Sequence, residues 1–301
     1  MSLRALYEVP APAKLNLFLH VIGRRADGYH LLQSVFVLID WCDTLHFERR
    51  DDARLLRHDM GVTLPDDDLC LRAARALQRA SGTHQGVDIL IEKSIPWGAG
   101  LGGGSSDAAS TLLALNQLWG LHWPRERLLE LALPLGADVP FFVGGRNAFV
   151  EGIGEQLTPL DMPPQRYAVL KPDAPIATPT IFQAPQLRRD TEPAIVTSFL
   201  ADTQLQQRLA HGWGRNDLQP IAEQLCPEVA QAARWLEARF GNSRMSGSGS
   251  AVYARVVSDV GNDTGKESPP EATWCAEDLP PRWAGRLCHS LDRHPLIGWA
   301  G

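Results

Sequence analysis

Five glycines fall within seven positions, at Gly98, Gly100, Gly102, Gly103 and Gly104 of the stretch IPWGAGLGGGSSDAAS, and Ser105, Ser106 and Asp107 follow at once. Residues without a Cβ let consecutive backbone N–H groups turn inward around an anion, and a helix that starts there adds its positive dipole end and its free amides. The two serine hydroxyls offer donors to a phosphate or an oxygen to magnesium, while Ala108 and Ala109 keep the first helical turn slim. The chemistry this pattern suits is the handling of a polyphosphate. A flexible Gly-Ser linker would have a similar composition, but β-rich Val87–Glu92 precedes the glycines closely, and Ala108, Leu112, Leu115 and Trp119 follow at helical spacing.

Other glycine motifs fail on context. Gly98, Gly100 and Gly103 satisfy GxGxxG, yet a dinucleotide fold needs an acidic residue about twenty positions later at the end of a second strand. The corresponding GLHWPRERLL reads as loop and helix. Laying GxxxxGK[ST] on Gly98 puts Gly104 where the phosphate-reaching lysine belongs. Neither the HRD nor the DFG element of protein kinases is present.

The elements that must position this loop are strands with helices between them. Lys14–Ile22 alternates apolar residues at period two, and Val35–Ile39, Thr44–Glu48 and Val87–Glu92 are further β-rich runs. Residues 68–80 read as an amphipathic helix behind an Asp cap, a helix begins at or just after Ser105, and Arg125–Leu133 is a third. Asn147–Glu151 and Glu155–Leu157 form a hairpin around Gly152 and Gly154, closing a first domain over residues 1–160. In a second, 161–301, Tyr167–Leu170 and Ala251–Val257 read as strands, Glu228–Phe240 as a helix stopped by Gly241, and Ser258–Thr273 as an irregular loop.

Composition narrows the function class. Over 301 residues, 44% hydrophobic and 21% charged content predicts a soluble globular protein, and a formal charge of -6 lacks the basic footprint of nucleic-acid binding. Five scattered cysteines without a CxxC pair predict reduced thiols in a cytoplasmic setting. No apolar run suits an export signal or a membrane span. Small molecules are the expected partners, with the chain a monomer or homodimer.

The run Pro96-x-x-x-Gly-Leu-Gly-Gly-Gly-Ser-Ser-Asp-Ala-Ala resembles the signature of the GHMP kinases, small-molecule kinases named for galactose, homoserine, mevalonate and phosphomevalonate. PAKLNLFLHVIGRRADGYH from Pro12, LGADVPFF from Leu135 and RMSGSGSAVYA from Arg244 agree with it in order, so the resemblance runs through nearly the whole chain. It implies an α+β fold of two domains, the first like domain 2 of ribosomal protein S5 and the second ferredoxin-like. ATP would be the phosphoryl donor, with Mg²⁺. The words AKLNLFL, RADGYH and GADVPFF look like the branch that phosphorylates the 2-hydroxyl of a methylerythritol carrying a cytidine diphosphate, on the route to isoprenoids. The alternatives are a relative acting on mevalonate, homoserine or a sugar, and a non-catalytic nucleotide-binding relative, which should have lost Lys14 or Asp138, whereas both are present.

Taken alone, Lys14 is a strand-end lysine and Asp138 an N-cap. The resemblance makes them the catalytic pair, with Asp138 as base and Lys14 balancing charge on the attacking oxygen. It also assigns ATP to Pro96, Gly98, Gly100, Leu101, Gly102, Gly103, Gly104, Ser105 and Ser106, with Lys93 facing phosphates and Asp68 at the adenine. Asp68 stands where the family commonly has Asn, so it can accept from the exocyclic amine but cannot donate. Asn16, on the same strand face as Lys14, orients substrate or carboxylate. On the same resemblance Tyr29 and His30 would recognise cytosine, Phe182 would close its other side, and Thr178 would reach the diphosphate or erythritol hydroxyls. Gly247 and Gly249 bring a second backbone loop near the site.

Overall fold

A computed structural model describes residues 3–174, 176–194, 207–209, 211–256 and 279–301, so the Ser258–Thr273 expectation lies outside the described residues. The alternating segment around Lys14 is the middle of β1 (Ala5–Arg24), which pairs antiparallel with β2 (His30–Arg50). The separate runs Val35–Ile39 and Thr44–Glu48 are thus one strand. A register shift opposite Pro12 and Ala13 absorbs the polar interval between them, which is why their alternation looks broken in sequence.

Around β2 assembles a six-stranded sheet, β3 (Leu55–Met60), β4 (Gly86–Glu92), β2, β5 (Ala148–Glu151) and β6 (Gln156–Pro159), with β1 also on β2. Helices α1 (Leu69–Ser81), α2 (Gly103–Leu118), α3 (Arg125–Ala132) and α4 (Val139–Gly144) cover one face. Leu112, Leu113 and Leu115 of α2 are buried against Phe36, Leu38, Phe47 and Ile89 of the sheet. The helix is buried nearly all round, including its polar Ser106, Asp107, Ser110, Thr111 and Asn116.

Between Pro159 and Arg166 the chain leaves this sheet for another, β7 (Arg166–Lys171), β8 (Arg244–Met245), β9 (Val252–Arg255) and β10 (Ala284–His289), in the antiparallel order β10-β7-β9-β8. Its helices are α5 (Thr178–Gln183), α6 (Gln219–Leu225) and α7 (Pro227–Phe240), the last ending at Gly241 with φ +67°. Fourth strand beside first, then third, then second, is the ferredoxin-like order. The two sheets share a core, since Ala13, Leu15 and Leu17 of β1 and Val37 of β2 bury against Tyr167, Val169 and Tyr253. The tail also returns to the first unit: Leu296 and Ala300 join its core, and Arg125 Nη2 donates to the Ala300 carbonyl at 2.9 Å. A cut at residue 160 therefore marks the change of sheet but not a full separation of the chain.

The glycine loop lies where these parts meet. Gly98, Gly100 and Gly102 adopt φ of +62°, +72° and +74°, which only glycine takes without strain. A Cβ on Gly98 would meet open space, whereas one on Gly100 would lie 2.2 Å from the Ser246 carbonyl oxygen. Gly98→Ala is therefore expected to cost the left-handed penalty of roughly 1–2 kcal/mol, and Gly100→Ala more, because two backbones must part. Thermal unfolding of the two variants measures the difference, and equal losses contradict it.

Candidate active site

Lys14 leaves β1 on the face opposite Ala13 and Leu15, and its ammonium is almost wholly buried. It donates to Asn16 Oδ1 at 2.5 Å, lies 3.5 Å from Asp138 Oδ2 and sits 4.5 Å from the centre of the Phe36 ring. Burial pulls the Lys14 pKa below the ordinary lysine value, against the attraction of Asp138. Asn16 is itself fixed, its amide donating to Ser34 Oγ at 2.9 Å. Asp138 stands immediately before α4, yet its side chain makes no capping bond. With its side chain 30% exposed against 4% for Lys14, the carboxylate is the more open of the two toward a substrate, and the ammonium is largely shielded from bulk water.

Two glycine loops enclose this pair. The Lys14 amide donates to the Leu101 carbonyl at 2.9 Å, tying β1 to the first loop. The second loop, between β8 and β9, is laced to the first: Ser246 Oγ donates to the Gly100 carbonyl at 3.0 Å, and Ala251 N to the Ala99 carbonyl at 3.0 Å. Asn216 supports Gly247 from behind, its amide donating to the Met245 and Gly247 carbonyls at 2.8 Å each. Helix α2 starts at Gly103, two residues earlier than the Ser105 start expected. Ser106 N bonds the Gly102 carbonyl, so the amides of Gly103, Gly104 and Ser105 remain without intrahelical partners.

A cavity of about 800 Å³ opens from these loops, within the range that holds a nucleotide-sized ligand. It brings together Lys14, Asn16, Tyr29, His30, Gly100, Gly102, Asp138, Thr178, Phe182 and Gly247. Tyr29 is exposed at its lip, and the His30 and Phe182 rings lie 5.0 Å apart between centroids, tilted by 31°. Thr178 and Ser248 share a hydroxyl–hydroxyl bond of 2.7 Å, joining α5 to the second glycine loop.

Family models described as the GHMP kinases N terminal domain and the GHMP kinases C terminal match residues 68–146 and 197–267. A 4-diphosphocytidyl-2-C-methyl-D-erythritol kinase of Methylibium petroleiphilum is 62% identical over 301 residues, with 100% of both chains covered. The chain belongs to the GHMP kinase family. A relative of the same name from Paracidovorax citrulli is 54% identical over 303 residues, covering 99% of each chain. A crystal structure of a 4-(cytidine 5'-diphospho)-2C-methyl-D-erythritol kinase aligns with a TM-score of 0.69 at 40% identity, covering 82% of this chain and 89% of that one. A homoserine kinase from Cytophaga hutchinsonii, 18% identical with a TM-score of 0.67 over 97% and 96% of the two chains, has the same fold.

Several residues of this GHMP kinase expected at the nucleotide have partners within the chain. Lys93, expected to face phosphates, has its ammonium held by Asp43 and, at 2.5 Å, by Asp107. Burial lowers its pKa, but the two carboxylates more than reverse this and leave it above the ordinary lysine value. Asp68 caps α1, accepting from Leu71 N at 3.1 Å, and pairs with Arg57 at 2.8 Å, so its carboxylate is already engaged. Leu101 points into the core, and Ser106 is buried with an Oγ that has no protein partner among the described residues. Pro96, Gly98, Gly103, Gly104 and Ser105 lie outside the cavity lining, the first two at the entry of the loop and the last three in the first turn of α2.

Sequence reasoning passes over Ser34, Asp43, Ser246, Asn216 and Phe36, which hold the pair and the loops from distant positions. Asp43 is the most consequential, since its Oδ1 accepts from Ser94 N and Ile95 N at 2.6 and 2.7 Å and so fixes the entry to the glycine loop. The one available signal is the pair of carboxylates, Asp40 and Asp43, between two apolar runs.

Two predictions follow from these charges. Burial, with Asp43 nearby, pushes the Asp107 pKa up to about 8 despite Lys93, so the folded protein holds a proton that the unfolded chain releases near pH 4. The stability conferred by that proton is complete below about pH 4 and lost as pH rises through about 8. Asp107→Asn should thus gain stability relative to the parent on going from pH 5 to pH 9, as measured by the difference in Tm; a difference independent of pH contradicts this. Asn16→Leu removes an acceptor from the Lys14 ammonium and should lower its pKa further. The alkaline fall of kcat should then begin at lower pH than in the parent, and an unmoved limb would separate Asn16 from Lys14.

Proposed function

We propose that this GHMP kinase transfers the γ-phosphoryl group of ATP to the 2-hydroxyl of 4-diphosphocytidyl-2-C-methyl-D-erythritol, a step of isoprenoid-precursor synthesis. The observation that carries the reading is one cavity with a buried Lys14–Asp138 pair at one end and Tyr29, His30 and Phe182 at the other. A phosphoryl acceptor with a nucleoside diphosphate handle needs both ends. Full-length relatives named for this substrate support the choice of acceptor.

The acceptor hydroxyl lies against Asp138, whose carboxylate takes its proton as the new P–O bond forms. Lys14 stabilises the negative charge developing on the attacking oxygen, an interaction strengthened by the exclusion of water around it. Asn16 aims the ammonium, and the amides of Gly103, Gly104 and Ser105 with the α2 dipole receive the nucleotide phosphates. Tyr29 and Phe182 pack against the cytosine faces, and Thr178 offers its hydroxyl to the diphosphate. No covalent intermediate on the enzyme is needed.

Among the described residues no group of three or more His, Cys, Asp or Glu could cage a metal. The donor set instead suits Mg²⁺ that arrives on nucleotide phosphates, with the orphaned Ser106 Oγ and the Ser105 hydroxyl as protein oxygens beside it. When bound, it would neutralise phosphate charge. No helix among the described residues is long and apolar enough to cross a membrane, and Cys42, Cys70, Cys226 and Cys288 are free thiols, in keeping with a reducing cytoplasm.

Acceptor mevalonate, homoserine or sugar would leave Tyr29, His30 and Phe182 idle. ADP release with ATP and each acceptor in turn separates the readings: turnover is expected with the cytidylyl compound, and turnover confined to mevalonate, homoserine or galactose overturns the proposal. Asp138→Asn should lower kcat by about 10²–10⁴-fold while ATP affinity changes little. Undiminished kcat would remove Asp138 from the role of base.

A further inference from the structure

The base-recognition end of the cavity is held by a residue outside every motif considered so far. Arg189, in the segment after α5, donates from Nε to His30 Nε2 at 3.0 Å. Its two Nη atoms donate to three carbonyls of its own segment, those of Leu187 at 2.9 Å, Phe182 at 3.0 Å and Ala184 at 2.9 Å. One guanidinium therefore joins the histidine at the start of β2 to the C-terminal end of α5, which carries Phe182. An arginine has no acceptor, so the bond makes His30 Nε2 the acceptor and places the proton of the neutral ring on Nδ1. Among the described residues no protein group bonds Nδ1, and His30 lines the cavity.

We propose that Arg189 is a positioning residue that fixes His30 as an Nδ1–H donor and thereby selects cytosine over uracil in the acceptor. The proposal rests on the reading of Tyr29, His30 and Phe182 as the base site. Cytosine presents an acceptor at N3, which a ring N–H can satisfy; uracil presents an N–H at N3, which meets that donor head on. A site built around one donor rejects the analogue that leaves it unpaired. Burial, then Arg189 and Arg24, hold His30 below the ordinary histidine pKa, and these two cations are the charged groups acting on it. The ring is thus neutral at physiological pH, the form in which its tautomer matters.

The test begins with the parent protein. Nitrogen-15 NMR of His30 near pH 7.5 should show an Nδ1–H ring, and an Nε2–H ring overturns the proposal. Arg189→Met should then raise KM for the cytidylyl acceptor about tenfold, with kcat within about threefold and KM for ATP unchanged. It should also narrow the preference in kcat/KM for the cytidylyl over the uridylyl acceptor by about tenfold, with Arg189→Lys intermediate. His30→Ala is the control that separates the layers. If it leaves the preference unchanged, the base-site reading falls and the proposal with it. If it narrows the preference but Arg189→Met does not, the reading stands and the role of Arg189 is refuted. Should Arg189→Met fail to fold, Arg189→Lys and the NMR signature of the parent still decide the matter.

Discussion

An ammonium removed from water must be met by oriented partners, and the burial of Lys14 imposes that demand on most of the cleft. Its partners come from three elements: Asn16 from its own strand, the Phe36 face from β2, and Asp138 from the entry to α4. The glycine loop forms the remaining wall. A Cβ on Gly102 would lie 2.9 Å from the Phe142 ring and 3.1 Å from Lys14 Cγ, so this glycine makes room for the lysine stem. One residue thereby couples the loop that would hold the donor to the pair that would activate the acceptor.

The same logic explains why the two sheets meet as they do. Buried polar groups of β1 are satisfied by the second unit: Asn16 N donates to Ser246 Oγ at 3.2 Å, and the Tyr253 hydroxyl donates to the Asn16 carbonyl at 3.0 Å. Arg244 adds bonds from one guanidinium to the carbonyls of Leu17, Gly212, Trp213 and Gly214. Leaving such groups unpaired would cost about 1–3 kcal/mol each. The cleft is consequently bounded by a specific hydrogen-bonded joint, and an apolar contact alone would not set its register.

How much of this is legible in sequence depends on whether the signal is local. The strand at Lys14, the helix behind Asp68, the hairpin around Gly152 and Gly154 and the stop at Gly241 all rest on nearby patterning, and each appears in the structure. The two-residue β8, the short α5 and the edge strand β10 carry too few residues for a period to show. Lys93 illustrates the limit most clearly. Its place before a phosphate loop suggests an anion ligand, but its partners are fifty and fourteen residues distant, and only the folded chain brings Asp43 and Asp107 to it. Asn16 and Ser246 meet across an even longer interval.

Lys14 and Lys93 are both largely buried, yet burial leaves one below the ordinary lysine pKa and the other above it. The difference lies in the carboxylates. Lys93 has two, both almost fully shielded, and the proton retained on Asp107 leaves one positive and one negative charge in a closed network. Such a network anchors β2, the loop entry and α2 to one another. Lys14 has a single carboxylate at 3.5 Å that opens toward the cavity and a neutral amide as its nearest acceptor. Its ammonium is under-compensated in the resting protein, so an additional negative charge beside it is stabilised there more than in water. That imbalance, more than the lysine itself, distinguishes a residue suited to a charge that develops during phosphoryl transfer from one that serves the fold.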